Sequence, residues 1–119
     1  MNSTSLQDLV LETLDNFKAQ EVCVLDVKSL TTITDTMIIA TGNSNRHVRA
    51  LAENIVKKAK EEGHMPLGVE GKSDAEWILI DLGDVVVHVM LARVREFYNL
   101  EKLWRPSSHQ PENNFKATA

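Results

Sequence analysis

The spacing of apolar and polar residues changes period several times along the chain, and each change marks an element. Leu6, Leu9, Val10, Leu14 and Phe17 recur every three or four positions, which places them on one side of an amphipathic helix and predicts a helix over 6–19. Ser5 followed by Asp8 reads as a capping-box variant at its start. The pattern then turns β-rich. Val22 to Val27 predicts a strand, Thr31 to Thr34 a polar connection, and Thr36 to Thr41 a buried strand with Met37, Ile38 and Ile39 at its middle. Gly42, Asn43, Ser44 and Asn45 close that strand and cap the next helix. In that helix Val48, Leu51, Ala52, Ile55, Val56 and Ala59 form the clearest apolar stripe in the chain. Lys57, Lys58 and Lys60 sit towards its C-terminus, where the helix dipole favours cations, and Gly63 stops it. Pro66 to Gly71 reads as a loop with a short strand at Leu67 to Val69, and Ser73 to Glu76 as one helical turn.

Trp77 to Leu82 and Val85 to Leu91 are two strands separated by Gly83 and Asp84. Glycine at the first of two turn positions is the signature of a type II′ hairpin. That turn pairs Leu82 with Val85 and fixes the rest of the register: Ile80 with Val87, Ile78 with Val89, Trp77 with Met90, Leu79 with His88 and Asp81 with Val86. Side chains alternate across a strand, so Ile78, Ile80, Leu82, Val85, Val87 and Val89 share one wholly aliphatic face. The other face mixes Trp77, Met90, Leu79, His88, Asp81 and Val86. Either helices cover this second face as well, or it meets a partner, since Trp and Met are enriched in interface cores. A helix is predicted over Arg93 to Leu100, with Val94, Phe97 and Tyr98 at helical spacing, and Leu103 and Trp104 end the folded part. Arg105 to Ala119, poor in apolar residues, is expected to be a disordered tail. The element order predicts one α/β domain with a mixed sheet, spanning 1–104.

Composition adds limits. A chain of 119 residues, 43% hydrophobic and 25% charged, is one globular domain. No apolar run approaches the roughly 20 residues that cross a bilayer. Met1 to Asp8 lacks the pattern of a signal peptide, and the lone Cys23 forms no intrachain disulfide, so a cytoplasmic location is expected. The net charge of −4 argues against a protein that wraps nucleic acid. The charge is segregated, however. Arg46 to Lys60 carries five bases and one acid; Glu61 to Asp84 carries seven acids and one base. The acidic stretch is a candidate contact for a basic partner, although charge runs are usually solvated faces.

Candidate chemistry is sparse. His47, His64, His88 and His109 lack metal-ligand spacing, and Cys23 lies mid-strand between two valines. The turn from Gly42 to His47, with Ser44 and Arg46, offers backbone N–H groups at a strand-to-helix junction but matches no phosphate-binding motif. Asp81 and Asp84 flank a turn, where carboxylates commonly serve turn geometry. No residues assemble a nucleophile, base and orienter, so the residues read as a binding module with no cofactor and no catalytic site.

Five ordered segments resemble the ribosomal silencing factor (RsfS, YbeB or Iojap) family. They are Ile33 to Ile39, Thr41 to Val48, Pro66 to Gly71, Trp77 to Met90 and Arg95 to Trp104, and the likeness runs from about Leu6 to Trp104. The resemblance implies a bacterial translation repressor. Such proteins bind the large ribosomal subunit through its ribosomal protein fourteen, block joining of the small subunit chiefly when nutrients are scarce, and form homodimers when free. It also implies a nucleotidyltransferase-like fold, a mixed sheet of about five strands flanked by helices, without the catalytic carboxylates: no DxD pair occurs in the chain. Where the family often carries acids after the last strand, this sequence has Ala92 and Arg93. On this basis the expected partner-binding residues are Trp77 and Met90 as apolar anchors, with Asp81, Asp84 and Glu70 pairing to basic groups. His88 and Tyr98 would add hydrogen bonds. Ribosomal RNA contact is expected to be minor. The alternative is a residual nucleotide-binding or nucleotidyltransferase-type enzyme at the Gly42–His47 turn.

Overall fold

In the computed structural model, which describes residues 3–104, the first helix, α1, runs from Ser3 to Asn16. Leu6, Val10 and Leu14 are its buried stripe, and the buried Thr13 hydroxyl donates to the Leu9 carbonyl at 2.8 Å. The helix starts earlier than its apolar spacing predicts, so Ser5 lies inside it rather than capping it. It also stops sooner. Lys18 adopts a left-handed conformation (φ +68°) that turns the chain, leaving Phe17 beyond the helix and 41% exposed. The chain continues as β1 (Gln20–Asp26), β2 (Thr36–Gly42), α2 (Asn45–Glu61), β3 (Gly68–Glu70), β4 (Trp77–Asp81), β5 (Val85–Leu91), α3 (Ala92–Tyr98) and α4 (Leu100–Trp104). The tail expected from Arg105 onward lies outside the described residues.

The strands form one mixed sheet in the order β1-β2-β5-β4-β3. β2 and β5 run parallel at its centre; the other neighbours are antiparallel. The hairpin pairs β4 with β5 in the register that its turn implies, from Trp77 opposite Met90 to Asp81 opposite Val86. Gly83 has φ +91°, the positive angle that the first turn position demands, and the Leu82 amide donates to the Val85 carbonyl at 2.9 Å.

The aliphatic face of this hairpin is fully in the core. Ile78, Ile80, Val87 and Val89 have no exposed surface, and Ile38 and Ala40 extend the same face onto β2. α2 packs over it with Val48, Leu51, Ala52, Ile55 and Ala59 buried, and α1 lies alongside α2. Removing these aliphatic side chains from water, at about 1.5–3 kcal/mol each, is the main term that holds the domain together.

Two local readings change. The helical turn expected over Ser73 to Glu76 is shifted towards the N-terminus: the Ala75 amide donates to the Gly71 carbonyl at 3.0 Å, one helix-type turn, and the chain does not continue it to Glu76. The buried Ala75 is left-handed (φ +56°). Asn45 Nδ2 donates to the Asp74 carbonyl (2.9 Å), and one Arg49 nitrogen donates to the Lys72 and Ser73 carbonyls (3.2 Å each). These tertiary bonds tie the turn to the first half of α2. The helix expected over Arg93 to Leu100 is two short helices, because Asn99 takes a left-handed conformation (φ +47°) that ends α3.

Candidate partner-binding surface

The second face of the sheet is not uniformly open. β5 is buried along its whole length, with Val86, His88 and Met90 all under 10% exposed. β4 alternates, so Trp77, Leu79 and Asp81 remain half-buried on this face. Glu70 on β3 is exposed and pairs with Leu79, which places it on the same face. The α3–α4 corner lies over the end of this face nearest Trp77. There Tyr98 packs on the indole of Trp77 with ring centroids 5.0 Å apart, and Phe97 meets Tyr98 edge-on at 4.9 Å.

Arg95 fastens that corner. Its Nε and one terminal nitrogen donate to the two carboxylate oxygens of Glu101 at 3.0 and 2.8 Å. Its other terminal nitrogen donates to the Thr41 hydroxyl at 2.8 Å and to the Glu21 carbonyl at 2.6 Å. A two-pronged, largely buried pair of this kind fixes geometry more than it adds stability. It ties α3 and α4 to the end of β2, and thereby sets where the Tyr98 ring stands.

The expected site residues fall into three groups. Trp77, Asp81, Glu70 and Tyr98 form one accessible strip, with Leu79 between them. Asp84 is exposed at the hairpin tip, beyond the strip, where its carbonyl accepts from the Asp35 and Thr36 amides. Asp81 also serves its turn, one carboxylate oxygen accepting from the Gly83 amide at 2.9 Å. Met90 and His88 do not present themselves as expected. Met90 has no exposed surface and packs in the core, because the central strand is covered on both sides. His88 lies under Trp77, whose indole N–H donates to His88 Nδ1 at 2.9 Å. Both therefore support the surface from below. Phe97 is a site candidate that helical spacing obscured. It shares the periodicity of a core residue yet is 80% exposed, while α3 packs against the sheet through the buried Val94.

Burial lowers His88 to a pKa of about 4 from its ordinary 6.5. The neutral ring, accepting at Nδ1, carries its proton on Nε2. The unfolded chain binds a proton here between those two values and the folded chain does not, so stability rises with pH across that window. The contribution is complete above about pH 6.5 and is lost as pH falls towards 4, to a total of about 3 kcal/mol. Thermal unfolding followed from pH 7 to 4.5 should show a falling midpoint, and His88→Gln should flatten the slope. An unchanged slope in the variant would mean that His88 is not the group responsible.

The turn from Gly42 to His47 is occupied by structural bonds. Ser44 Oγ accepts from the His47 amide at 3.0 Å and caps α2. The His47 ring accepts from the Asn43 amide at Nδ1 (2.9 Å) and, through Nε2, bonds the Phe17 carbonyl at 2.8 Å. A Cβ on Gly42 would lie 2.8 Å from a Val48 methyl. The glycine therefore serves close packing of β2 on α2. Among the described residues no group of three or more His, Cys, Asp or Glu side chains stands close enough to hold a metal, and no helix is long and apolar enough to cross a membrane.

The comparisons with known proteins converge. The family model described as "Ribosomal silencing factor during starvation" matches residues 1–119. Ribosomal silencing factor RsfS of Haemophilus influenzae is 45% identical over 100 residues, covering 84% of this chain and 98% of that protein. A mouse protein, mitochondrial assembly of ribosomal large subunit protein 1, is 35% identical over 100 residues, which are 82% of this chain but only 44% of the mouse protein. A crystal structure of a protein from Chromobacterium violaceum superposes with a TM-score of 0.86 at 42% identity, covering 96% of this chain and 98% of that one. Matched over its full length by the family model and over most of its length by a bacterial relative, the chain belongs to the ribosomal silencing factor family, whose members are ribosome-associated regulators of translation.

Proposed function

We propose that this chain represses translation by docking on the large ribosomal subunit through ribosomal protein fourteen and sterically blocking the small subunit, chiefly under nutrient limitation. The observation that carries the reading is the strip itself. Tyr98, exposed like Phe97 next to it, packs on the half-buried Trp77, and two carboxylates, Glu70 and Asp81, follow further along the same face. An apolar anchor with acids along the same strip suits a basic ribosomal protein. The name of the mouse relative points to the large subunit in its own case. The mechanism requires no chemistry: a bound domain of this size occupies space that the small subunit needs. The chain acts as a binding module in the cytoplasm, without a cofactor, and pairs as a homodimer when free. Ser44 and His47 are spent on capping and backbone bonds, so the nucleotide-binding alternative at that turn gains no observation in its favour.

Sedimentation of purified ribosomal subunits tests this directly. With the protein added, it should travel with the large subunit and the joined-ribosome peak should shrink. A full joined peak at saturating protein would refute the blocking mechanism, and absence from the large-subunit fraction would refute the docking.

A further inference from the structure

On the opposite side of the sheet from Trp77, α2 and β3 do not close on each other. An open groove of about 600 Å³ runs between them. Val69, which pairs with Ile80 and so shares the helix-covered face, forms its floor together with Ala52 and Val56 of α2. Met65 and Pro66 make the far wall, and Met65 is 65% exposed although apolar. Lys57, Lys60 and Lys72 stand around the rim with one acid, Glu53. All three lysines are exposed and none forms an ion pair with a described residue; the ion pairs lie at Lys58, Arg93 and Arg95.

This combination selects among ligands. Lysines alone can hold phosphates, but bases are held by stacking on aromatic rings or guanidinium planes, and the groove lining contains neither. An acyl chain needs an enclosed apolar cavity, and this groove is open. A protein segment with apolar residues towards the floor and acids towards the rim satisfies both features. From Ala52 to Lys60 the wall is about 12 Å long at helical rise, a little over two helical turns. The exposed Met65 supplies an adaptable apolar contact for such a segment. We propose that the groove is a second docking site, which receives an acidic amphipathic helix of a partner protein by the helix-in-groove mode. Because it faces away from the Trp77 strip, both surfaces can be engaged at once. The domain then acts as a two-sided adaptor rather than as a plug alone. This site stands independently of what the strip binds.

Fluorescence anisotropy of the full chain with a labelled 15-residue synthetic peptide tests it. The peptide carries Leu at positions spaced i, i+3, i+4 and i+7 and Glu on the other side. Saturable binding is expected, weakened at least about tenfold by the double variant Lys57→Glu/Lys72→Glu through like-charge contact. Lys28→Glu, a reversal of the same kind at an exposed site elsewhere, should stay within about twofold of the parent chain. All of these positions are solvent-exposed, and matched thermal midpoints confirm folding. No saturable binding, or equal binding by the double variant, would overturn the proposal. So would displacement of the peptide by decanoate or uridine triphosphate at lower concentration than an unlabelled copy of the peptide, which would mark a small-ligand pocket instead.

Discussion

Trp77→Ala should weaken binding to the large ribosomal subunit by about 2 kcal/mol or more, roughly thirtyfold in Kd, while the chain stays folded. The expectation comes from where the indole stands. One edge is anchored to His88 by a 2.9 Å hydrogen bond, the Tyr98 ring leans against it at 5.0 Å, and part of its surface remains accessible. A large side chain held in place before binding loses little entropy on docking, which is the condition for a hot spot. The truncation also removes the support of Tyr98, so the loss should exceed that of Tyr98→Ala. Trp77→Phe should lie between the parent and Trp77→Ala, because it keeps an aromatic ring but withdraws the donor from His88. Asp81→Lys should weaken binding by reversing a charge at the far end of the same strip, four residues along β4 from the anchor. Cosedimentation across a concentration series measures all four. Parent-like affinity in folded Trp77→Ala would remove the strip as the docking surface.

Gly71→Ala should destabilise the domain by about 2–4 kcal/mol, a drop of roughly 10–20 °C in the thermal midpoint. Two independent constraints meet at this residue. Its φ of +94° lies where L side chains are strained, and a Cβ there would collide with the backbone carbonyl of Trp77. A carbonyl at the start of a strand cannot swing aside as a flexible side chain would. The chain must therefore move the loop over 71–76 or the start of β4. That loop is also tied to α2 by Asn45 and Arg49, so the disturbance reaches the helix. Because Trp77 opens β4, the variant should lose subunit binding along with stability. A midpoint within a few degrees of the parent would show that the loop relaxes more easily than its bonds suggest.

The parts of the fold legible in the sequence are those governed by local periodicity. The α2 stripe, the two central strands and the hairpin register come from spacing and from one glycine, because a two-residue turn leaves the strands no freedom to slip. Boundaries are harder to read. Phe17 continues the spacing of α1 but lies outside it, because the helix ends at Asn16 and the left-handed Lys18 turns the chain towards β1. Ser73 to Glu76 has helix-compatible composition, yet the one helix-type bond runs from Ala75 back to Gly71, the left-handed Ala75 ends the turn, and Asn45 and Arg49 tie it to α2. The strip is half legible. Alternation places Trp77, Leu79 and Asp81 together with His88 and Met90 on one face. It carries no information on which of the two strands is covered.

The class of the fold, the pairing of β4 with β5 and the family are all written in the order of residues along the chain, because each rests on residues close together or in a fixed succession. Exposure is not written there; it is set when the elements pack. β5 takes its place beside β2 at the centre of the sheet, so Met90 and His88 are buried whatever their side-chain chemistry. β4 lies one strand nearer the edge, where the elements packed on this face cover less of it, and Trp77, Leu79 and Asp81 keep accessible surface. The same holds for Phe97 and for the lysines of α2. Their neighbours come from distant segments, and whether a side chain meets protein or water is settled only when those segments come together.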